Sequence, residues 1–263
     1  MTQEKNPLIV IRDLKKSYGK GSDKNEVLKG INLAIYPGQI IGYIGPNGAG
    51  KSTTVKILCG LIPDFEGEIK VFGHDLKNQA LDIKKRIGYV PENGAMYDLL
   101  TPNEYLHFIG ALYDIDTLKL EKRITRLLHF FEMEKHADQR MDTFSKGMKQ
   151  KVLIMSGIIN DPDILFLDEP LSGLDANSVI LVKEMLTQLA GSGKTIFYCS
   201  HLMDVVEKIS DRILLINNGN VIADGKFDEL KTEQSATLEQ LFAQLTGHQN
   251  GNANGLFNAL DEN

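Results

Sequence analysis

Gly45-Pro46-Asn47-Gly48-Ala49-Gly50-Lys51-Ser52-Thr53 decides the reading of this chain. Its glycines, lysine and hydroxyl stand at the fixed positions of the pattern G-x-x-x-x-G-K-[ST]. Before it, Ile40-Ile41-Gly42-Tyr43-Ile44 is short, apolar and rich in β-branched residues, as a buried strand is. After it, Thr54-Val55-Lys56-Ile57-Leu58 continues as a helix with apolar residues on one side. A strand, a glycine turn and a helix start form the geometry that grips phosphate. Glycine lets the backbone bend round an anion with no Cβ in the way. The freed N–H groups and the positive helix end then face the charge. In this pattern Lys51 would reach the β- and γ-phosphates, and the Ser52 hydroxyl would hold Mg²⁺. The blander reading is a glycine turn that only joins strand to helix. It is set aside because the pattern and its flanking elements agree.

Length and composition bound what can surround this loop. The chain has 263 residues, 42% hydrophobic and 24% charged, ordinary values for a globular protein with one large domain or a core carrying an insertion. No apolar run is long enough to span a bilayer, and residues 1–7 lack the apolar core of a signal peptide. The formal net charge is −6 and no basic block appears, so no nucleic-acid partner is expected. Cys59 and Cys199 are far apart in apolar surroundings. They read as small buried hydrophobes in a reducing compartment rather than a disulfide or metal pair. The expected location is cytoplasmic.

Along the chain, Leu8-Ile9-Val10-Ile11 and the alternating stretch from Val27 to Ile35 read as strands, so an antiparallel layer is expected before the nucleotide core. Another alternating strand follows at Glu68-Ile69-Lys70-Val71-Phe72-Gly73, then a short helix from Ala80 to Arg86 and a buried strand at Ile87-Gly88-Tyr89-Val90. From Pro91 the character changes. Thr101-Pro102-Asn103-Glu104 opens a helix with a capping threonine, an early proline and an acid three residues on. Leu120, Ile124, Leu127, Leu128 and Phe131 then recur at helical spacing, as a core face does. Residues 93–160 therefore read as a helical subdomain inserted in an α/β core made of residues 1–92 and 161–225. Strands alternating with helices imply a mostly parallel sheet. A last helix is expected over 235–246, and the Asn- and Gly-rich residues 247–263 read as a flexible tail.

The apolar strand Asp163-Ile164-Leu165-Phe166-Leu167-Asp168 ends in two acids, Asp168 and Glu169. A parallel sheet presents its ligands at this end of a strand. Asp168 suits Mg²⁺, and Glu169 suits the water that attacks the γ-phosphate. His201 follows the next core strand, Thr195-Ile196-Phe197-Tyr198-Cys199, and can reach the γ-phosphate from the edge of the site.

From about residue 8 to 225 the chain resembles the ATP-binding cassette family. Phe144-Ser145-Lys146-Gly147-Met148-Lys149-Gln150 is similar to the family's signature loop, and Leu171-Ser172-Gly173-Leu174-Asp175 to the loop after its catalytic Glu. Tyr18 stands where the family has an aromatic that stacks on adenine, and His201 matches the switch histidine. The resemblance implies a phosphate-loop nucleotide-hydrolase fold. It also implies ATP hydrolysis with Mg²⁺, catalysed by Glu169 and His201, with the metal held by Ser52, Asp168 and Glu92. Two cassettes would pack head to tail. Ser145, Lys146, Gly147 and Met148 would then serve the ATP held by the partner subunit, and Asp175 would lie at the seam. Two motifs depart from the common pattern: in the signature loop Lys146 and Met148 replace a glycine and a glutamine, and in the loop after Tyr89-Val90-Pro91 Glu92 stands where Gln is usual. Both variants resemble the ATPase subunits of drug, antibiotic and lipid exporters, whose membrane domains are separate chains. The implied partners are a second cassette, identical or paralogous, and a permease that holds the chain on the cytoplasmic face of a membrane. A soluble cassette ATPase of ribosomes, DNA or iron–sulfur assembly is the alternative. The single cassette stands against the ribosome-acting members and the lack of a sustained heptad run against the DNA-repair members, while composition leaves the iron–sulfur assembly ATPase open. A non-hydrolysing nucleotide sensor is a further alternative, opposed by Glu169 and His201.

Overall fold

The computed structural model describes residues 6–232 and 235–247. In chain order the strands and helices begin with β1 (Ile9–Tyr18), β2 (Asn25–Ile35), β3 (Ile40–Ile44), α1 (Lys51–Leu58), β4 (Glu66–Val71), β5 (His74–Asp75), α2 (Ala80–Lys84) and β6 (Ile87–Val90). Three helices follow: α3 (Pro102–Leu112), α4 (Thr117–Phe130) and α5 (Lys146–Ile158). The chain continues through β7 (Ile164–Asp168), α6 (Ala176–Gly191), β8 (Thr195–Cys199), α7 (Met203–Ile209), β9 (Arg212–Asn217), β10 (Asn220–Gly225), α8 (Phe227–Leu230) and α9 (Leu238–Thr246).

Two sheets form. One is antiparallel, in the order β2-β1-β4-β5, and the other has the order β10-β9-β3-β8-β7-β6. Within the second sheet β9, β3, β8, β7 and β6 run parallel, and only β10 is antiparallel. The sequence places the antiparallel layer ahead of the core. The structure completes it with β4 and β5, which come after α1, because β1 pairs with β2 on one side and β4 on the other.

Period-two alternation explains how the large sheet is buried on both faces. On β3, β7 and β8, residues Tyr43, Phe166 and Phe197 point into a core shared with the antiparallel sheet and α1. Their neighbours Ile44, Leu165 and Tyr198 point into a second core shared with helices. The strands are apolar at nearly every position for that reason, and alternation is invisible in their sequence. The helical segment after β6 is anchored at its start by a complete capping box. Glu104 N donates to Thr101 Oγ1 at 3.2 Å and Thr101 N donates to Glu104 Oε2 at 2.8 Å. Leu120, Ile124, Leu128 and Phe131 are buried as their spacing requires.

Several bounds differ from the sequence reading, each for a local reason. Apolar residues at helical spacing place the helix before β8 over Ser178 to Ala190, but α6 starts at Ala176 because Asp175 caps it, with Ser178 N donating to Asp175 Oδ1 at 3.0 Å. Strand β4 ends at Val71 because Phe72 and Gly73 take positive φ, 55° and 81°, and turn the chain into β5. Helix α9 starts at Leu238, capped by Thr237 rather than at 235, and stops at Gly247, φ 73°. The rest of the expected tail, 248–263, lies outside the described residues. Cys59 and Cys199 are buried and free. Among the described residues no helix is long and apolar enough to cross a membrane.

Gly88 on β6 shows how closely the helical segment sits on the sheet. A Cβ there would fall 1.9 Å from the Gly157 carbonyl oxygen of α5. Gly88→Ala should therefore destabilise the fold by about 1–3 kcal/mol through overpacking. Denaturant unfolding of the variant checks this, and an unchanged midpoint would contradict the close approach.

Candidate functional site

The register of three parallel strands assembles the site. Tyr43 of β3 lies opposite Cys199 of β8, and Cys199 lies opposite Asp168 of β7. One row across the sheet therefore ends in the phosphate loop, in Ser200-His201 and in Glu169. All three segments open into a cleft of about 700 Å³ at the strands' carboxyl ends, where a parallel sheet presents its ligands.

The loop between β3 and α1 is shaped by close packing. Gly50 has φ 108°, and a Cβ there would fall 2.5 Å from Leu28 Cδ2. At Gly45 a Cβ would fall 2.3 Å from the Ile216 carbonyl oxygen. Ala49 N donates to Pro46 O at 3.1 Å, and Gly219 N donates to Ala49 O at 3.2 Å. The Asn218-Gly219 turn between β9 and β10 thus braces the loop from outside. Inside, Thr54 Oγ1 donates to Gly50 O at 2.9 Å and lies 3.2 Å from the buried Tyr43 hydroxyl. Lys51 is buried and arches back over the loop, donating to Gly45 O at 2.7 Å and Pro46 O at 3.1 Å. Gly45, Pro46, Asn47, Gly48, Gly50, Lys51, Ser52 and Thr53 all line the cleft, while Ala49 is buried behind them. The result is an ammonium, a helix start and backbone N–H groups around one concavity, the chemistry of a polyphosphate site.

Acids face this cation. Asp168 is 3% exposed, and burial pushes its carboxyl above the usual carboxylate range. A hydrogen bond from Ser52 works against that rise, the nearby Glu92 and Glu169 charges add to it, and Lys51 opposes them. Crowded acids beside a hydroxyl are relieved by a divalent cation, so the donor set fits Mg²⁺. No cluster of three or more His, Cys, Asp or Glu with metal-binding disposition occurs among the described residues. Mg²⁺ takes only one or two carboxylates and completes its shell with phosphate oxygens and water, so Asp168 and the Ser52 hydroxyl would suffice as its protein donors.

Glu169 is held from several directions. Its φ is 50°, a left-handed conformation costing roughly 1–2 kcal/mol for a residue with a Cβ. Its backbone N donates to Cys199 O at 2.9 Å. Ser200 Oγ donates to Glu169 Oε2 at 3.0 Å, and His201 Nδ1 lies 2.9 Å from Oε1. The Glu169 side chain is 13% exposed and that of His201 is 69% exposed. A shielded carboxylate therefore sits behind a solvent-facing imidazole.

The signature segment is elsewhere. Ser145 caps α5, and its Oγ accepts from Met148 N at 3.2 Å. Lys146 Nζ donates to Ser172 Oγ at 2.9 Å, and its aliphatic stem covers Gly173. A Cβ on Gly147 would fall 2.8 Å from Gly173 O. None of residues 145–148 lines the phosphate cleft, though Lys146 and Glu92 share a second cavity beside it. Asp175 is exposed, and its hydrogen bonds from Ser178 hold its carboxyl down at about 2. Tyr18 is exposed beside the cleft without lining it, while its strand partner Asn25 does line it.

The sequence reading missed Asn25, Val27, Met203 and Phe242 in the cleft wall. These come from β2, α7 and α9, which tertiary packing alone brings together. It also missed Ser200, whose only local signal is a hydroxyl immediately before His201.

The family model described as ABC transporter matches residues 28–172. The chain belongs to the ABC transporter family. It is an ATP-binding cassette that hydrolyses ATP. The linearmycin resistance ATP-binding protein LnrL of Bacillus subtilis is 36% identical over 223 residues, covering 85% of this chain and 70% of that protein. The Nod factor export ATP-binding protein I of Ralstonia nicotianae is 34% identical over 228 residues, covering 87% and 70%. A dimeric ATP-binding cassette, MJ0796, solved in a post-hydrolysis state bound to ADP and Pi, matches with a TM-score of 0.77 and 26% identity, covering 83% of this chain and 98% of that one. Removing the ammonium from the cassette's phosphate loop should weaken ATP binding. Lys51→Ala is expected to raise the Kd for ATP by roughly ten- to a hundredfold, the loss of about 1.5–3 kcal/mol from charge-assisted hydrogen bonds. Titration with a fluorescent ATP analogue checks this; an unchanged Kd would remove Lys51 from the site.

Proposed function

We propose that this cassette is the ATP-driven motor of a membrane exporter. It works as a dimer on the cytoplasmic face, coupled to a separate membrane-spanning permease. The observation that carries the dimer is the separation of two half-sites. The phosphate loop, Asp168, Glu169 and His201 share one cleft, and Ser145 to Met148 do not reach it. A hydroxyl at a helix start with nothing to bind on its own cleft is suited to a γ-phosphate presented by a second copy. The dimeric state of the MJ0796 cassette supports the same arrangement. Export is supported by the names of relatives that confer linearmycin resistance or export Nod factor.

In this reading the phosphate loop and Lys51 bind the β- and γ-phosphates. Ser52 and Asp168 would hold Mg²⁺, with Glu92 facing the same cleft; bound there, the ion would neutralise phosphate charge. Glu169 takes a proton from the attacking water as it adds to the γ-phosphorus, and the bond to the ADP oxygen breaks. His201 spans Glu169 and the cleft. Its Nδ1 rests on Glu169 before ATP binds, and the ring leaves that carboxylate to meet the γ-phosphate when ATP is in place. Tyr18, beside the cleft, is placed to meet the adenine when ATP binds. Ser145, Lys146, Gly147, Met148 and Asp175 belong to the seam. Losing the γ-phosphate contacts loosens that seam after hydrolysis.

Glu169→Gln should lower kcat by about 10²–10⁴-fold, the usual worth of a general base, while ATP binding persists. With ATP bound, the variant should elute as a dimer in size-exclusion chromatography. Turnover within a few-fold of the native protein would remove Glu169 from catalysis. For the coupling to export, a tagged chain at native expression should extract from membranes with a stoichiometric multi-span protein. Recovery only from the soluble fraction, with ribosomal or cluster-assembly proteins, would contradict it.

A further inference from the structure

The hydroxyl of Ser200 has a fixed hydrogen-bonding role beside the general base. Ser200 is 1% exposed at the end of β8. Leu202 N donates to its Oγ at 3.1 Å. A backbone N–H can only donate, so the serine oxygen accepts there, and its single proton is left for another partner. That partner is Glu169 Oε2, at 3.0 Å. The buried Tyr198 hydroxyl also lies by Ser200, but it can donate as well as accept, whereas a carboxylate only accepts, so the serine proton goes to Glu169.

The two contacts on the Glu169 carboxylate differ in kind. His201 on Oε1 is 69% exposed and belongs to a group that must meet substrate during the cycle. It cannot both move to the γ-phosphate and hold Glu169 still. Ser200 is buried, rooted in the sheet and tied by the Leu202 N–H, so it keeps its place whatever His201 does. A glutamate side chain has three rotatable bonds, and its backbone here is already in the left-handed region at φ 50°. Without a fixed donor, the carboxylate is free to rotate away from the line of attack. Misplacement of a catalytic group by an ångström costs on the order of a hundredfold in rate.

We infer that Ser200 is the positioning residue for the general base of this ATPase: it holds the Glu169 carboxylate in place while His201 is released to the γ-phosphate. This rests on Glu169 being that base. Ser200 is buried and does not line the cleft, so its effect acts through Glu169.

The test is steady-state ATP hydrolysis by the full-length chain, with ATP binding titrated separately, for Ser200→Ala, Ser200→Cys, Ser200→Thr and Glu169→Gln. Ser200→Ala and the near-isosteric Ser200→Cys, a weak donor, should lower kcat by about tenfold or more, with the Kd for ATP within twofold of native. Ser200→Thr keeps the hydroxyl and should recover most of the activity. Thermal melting shows that each variant is folded, and Ser200→Cys fills the site if alanine leaves a destabilising gap. Native kcat in Ser200→Ala or Ser200→Cys beside an inactive Glu169→Gln overturns the inference and leaves the general base standing. A fully active Glu169→Gln overturns the assignment of the base and the inference with it. A folded Ser200→Thr as slow as Ser200→Ala also overturns the inference, because the hydroxyl would then not be what matters.

Discussion

The structure depends on the parallel pairing of β3, β8 and β7. Their register sets Tyr43, Cys199 and Asp168 in one row. The phosphate loop, the Ser200-His201 pair and Glu169 follow within two residues of that row. A one-residue slip of either pair would turn every side chain to the opposite face. It would send Tyr43 and Phe197 out of the core shared with the antiparallel sheet, where their rings lie 5.0 Å apart. The packing that makes the sheet stable is therefore the packing that brings cation, acids and imidazole to one edge. The apolar contacts hold the register, and the chemistry occupies the positions just beyond them.

At that edge opposite charges are kept in deliberate imbalance. Asp168, Glu169 and Glu92 face a cleft whose nearby ammonium, Lys51, is drawn onto the carbonyls of its own loop. Burial drives the Asp168 carboxyl upward, and the other acids add to it. Such a cleft is poised for a ligand that brings its own cations and extended anionic charge, which is how a metal-bound triphosphate presents itself. The signature segment is arranged on the opposite principle. Its helix start does not line the cleft, and Lys146 and Gly147 are packed on the Ser172-Gly173 turn that leads to Asp175. The turn after Glu169 and the signature helix thus form one surface, and a change at either is felt by the other.

Much of this was legible from residues alone. The phosphate loop announces itself because glycine, lysine and hydroxyl are each indispensable at fixed spacing. The Asp168-Glu169 pair could be a solvated turn by itself, and it is the phosphate loop upstream that makes two acids at the end of an apolar strand read as a site. His201 was found by its position after the next core strand. What the residues could not show is what folding brings from afar. Met203 and Phe242 reach the cleft because α9 packs on α7, with Leu238 N donating to Glu207 Oε2 at 2.9 Å. Tyr18 falls just outside the cleft wall, a matter of where β1 ends against β2. Ser200 carries no pattern at all: one hydroxyl on an apolar strand end looks like any other until its two hydrogen bonds are seen.

The central claim is that each ATP is completed by two chains, the phosphate loop of one and Ser145 of the other. A structure of the Glu169→Gln protein with ATP and Mg²⁺ tests it most directly. A head-to-tail dimer is expected with two nucleotides in the seam, each γ-phosphate between Lys51 of one copy and Ser145 of its partner. A monomer with ATP bound, or a dimer whose Ser145 stands away from both nucleotides, would contradict it.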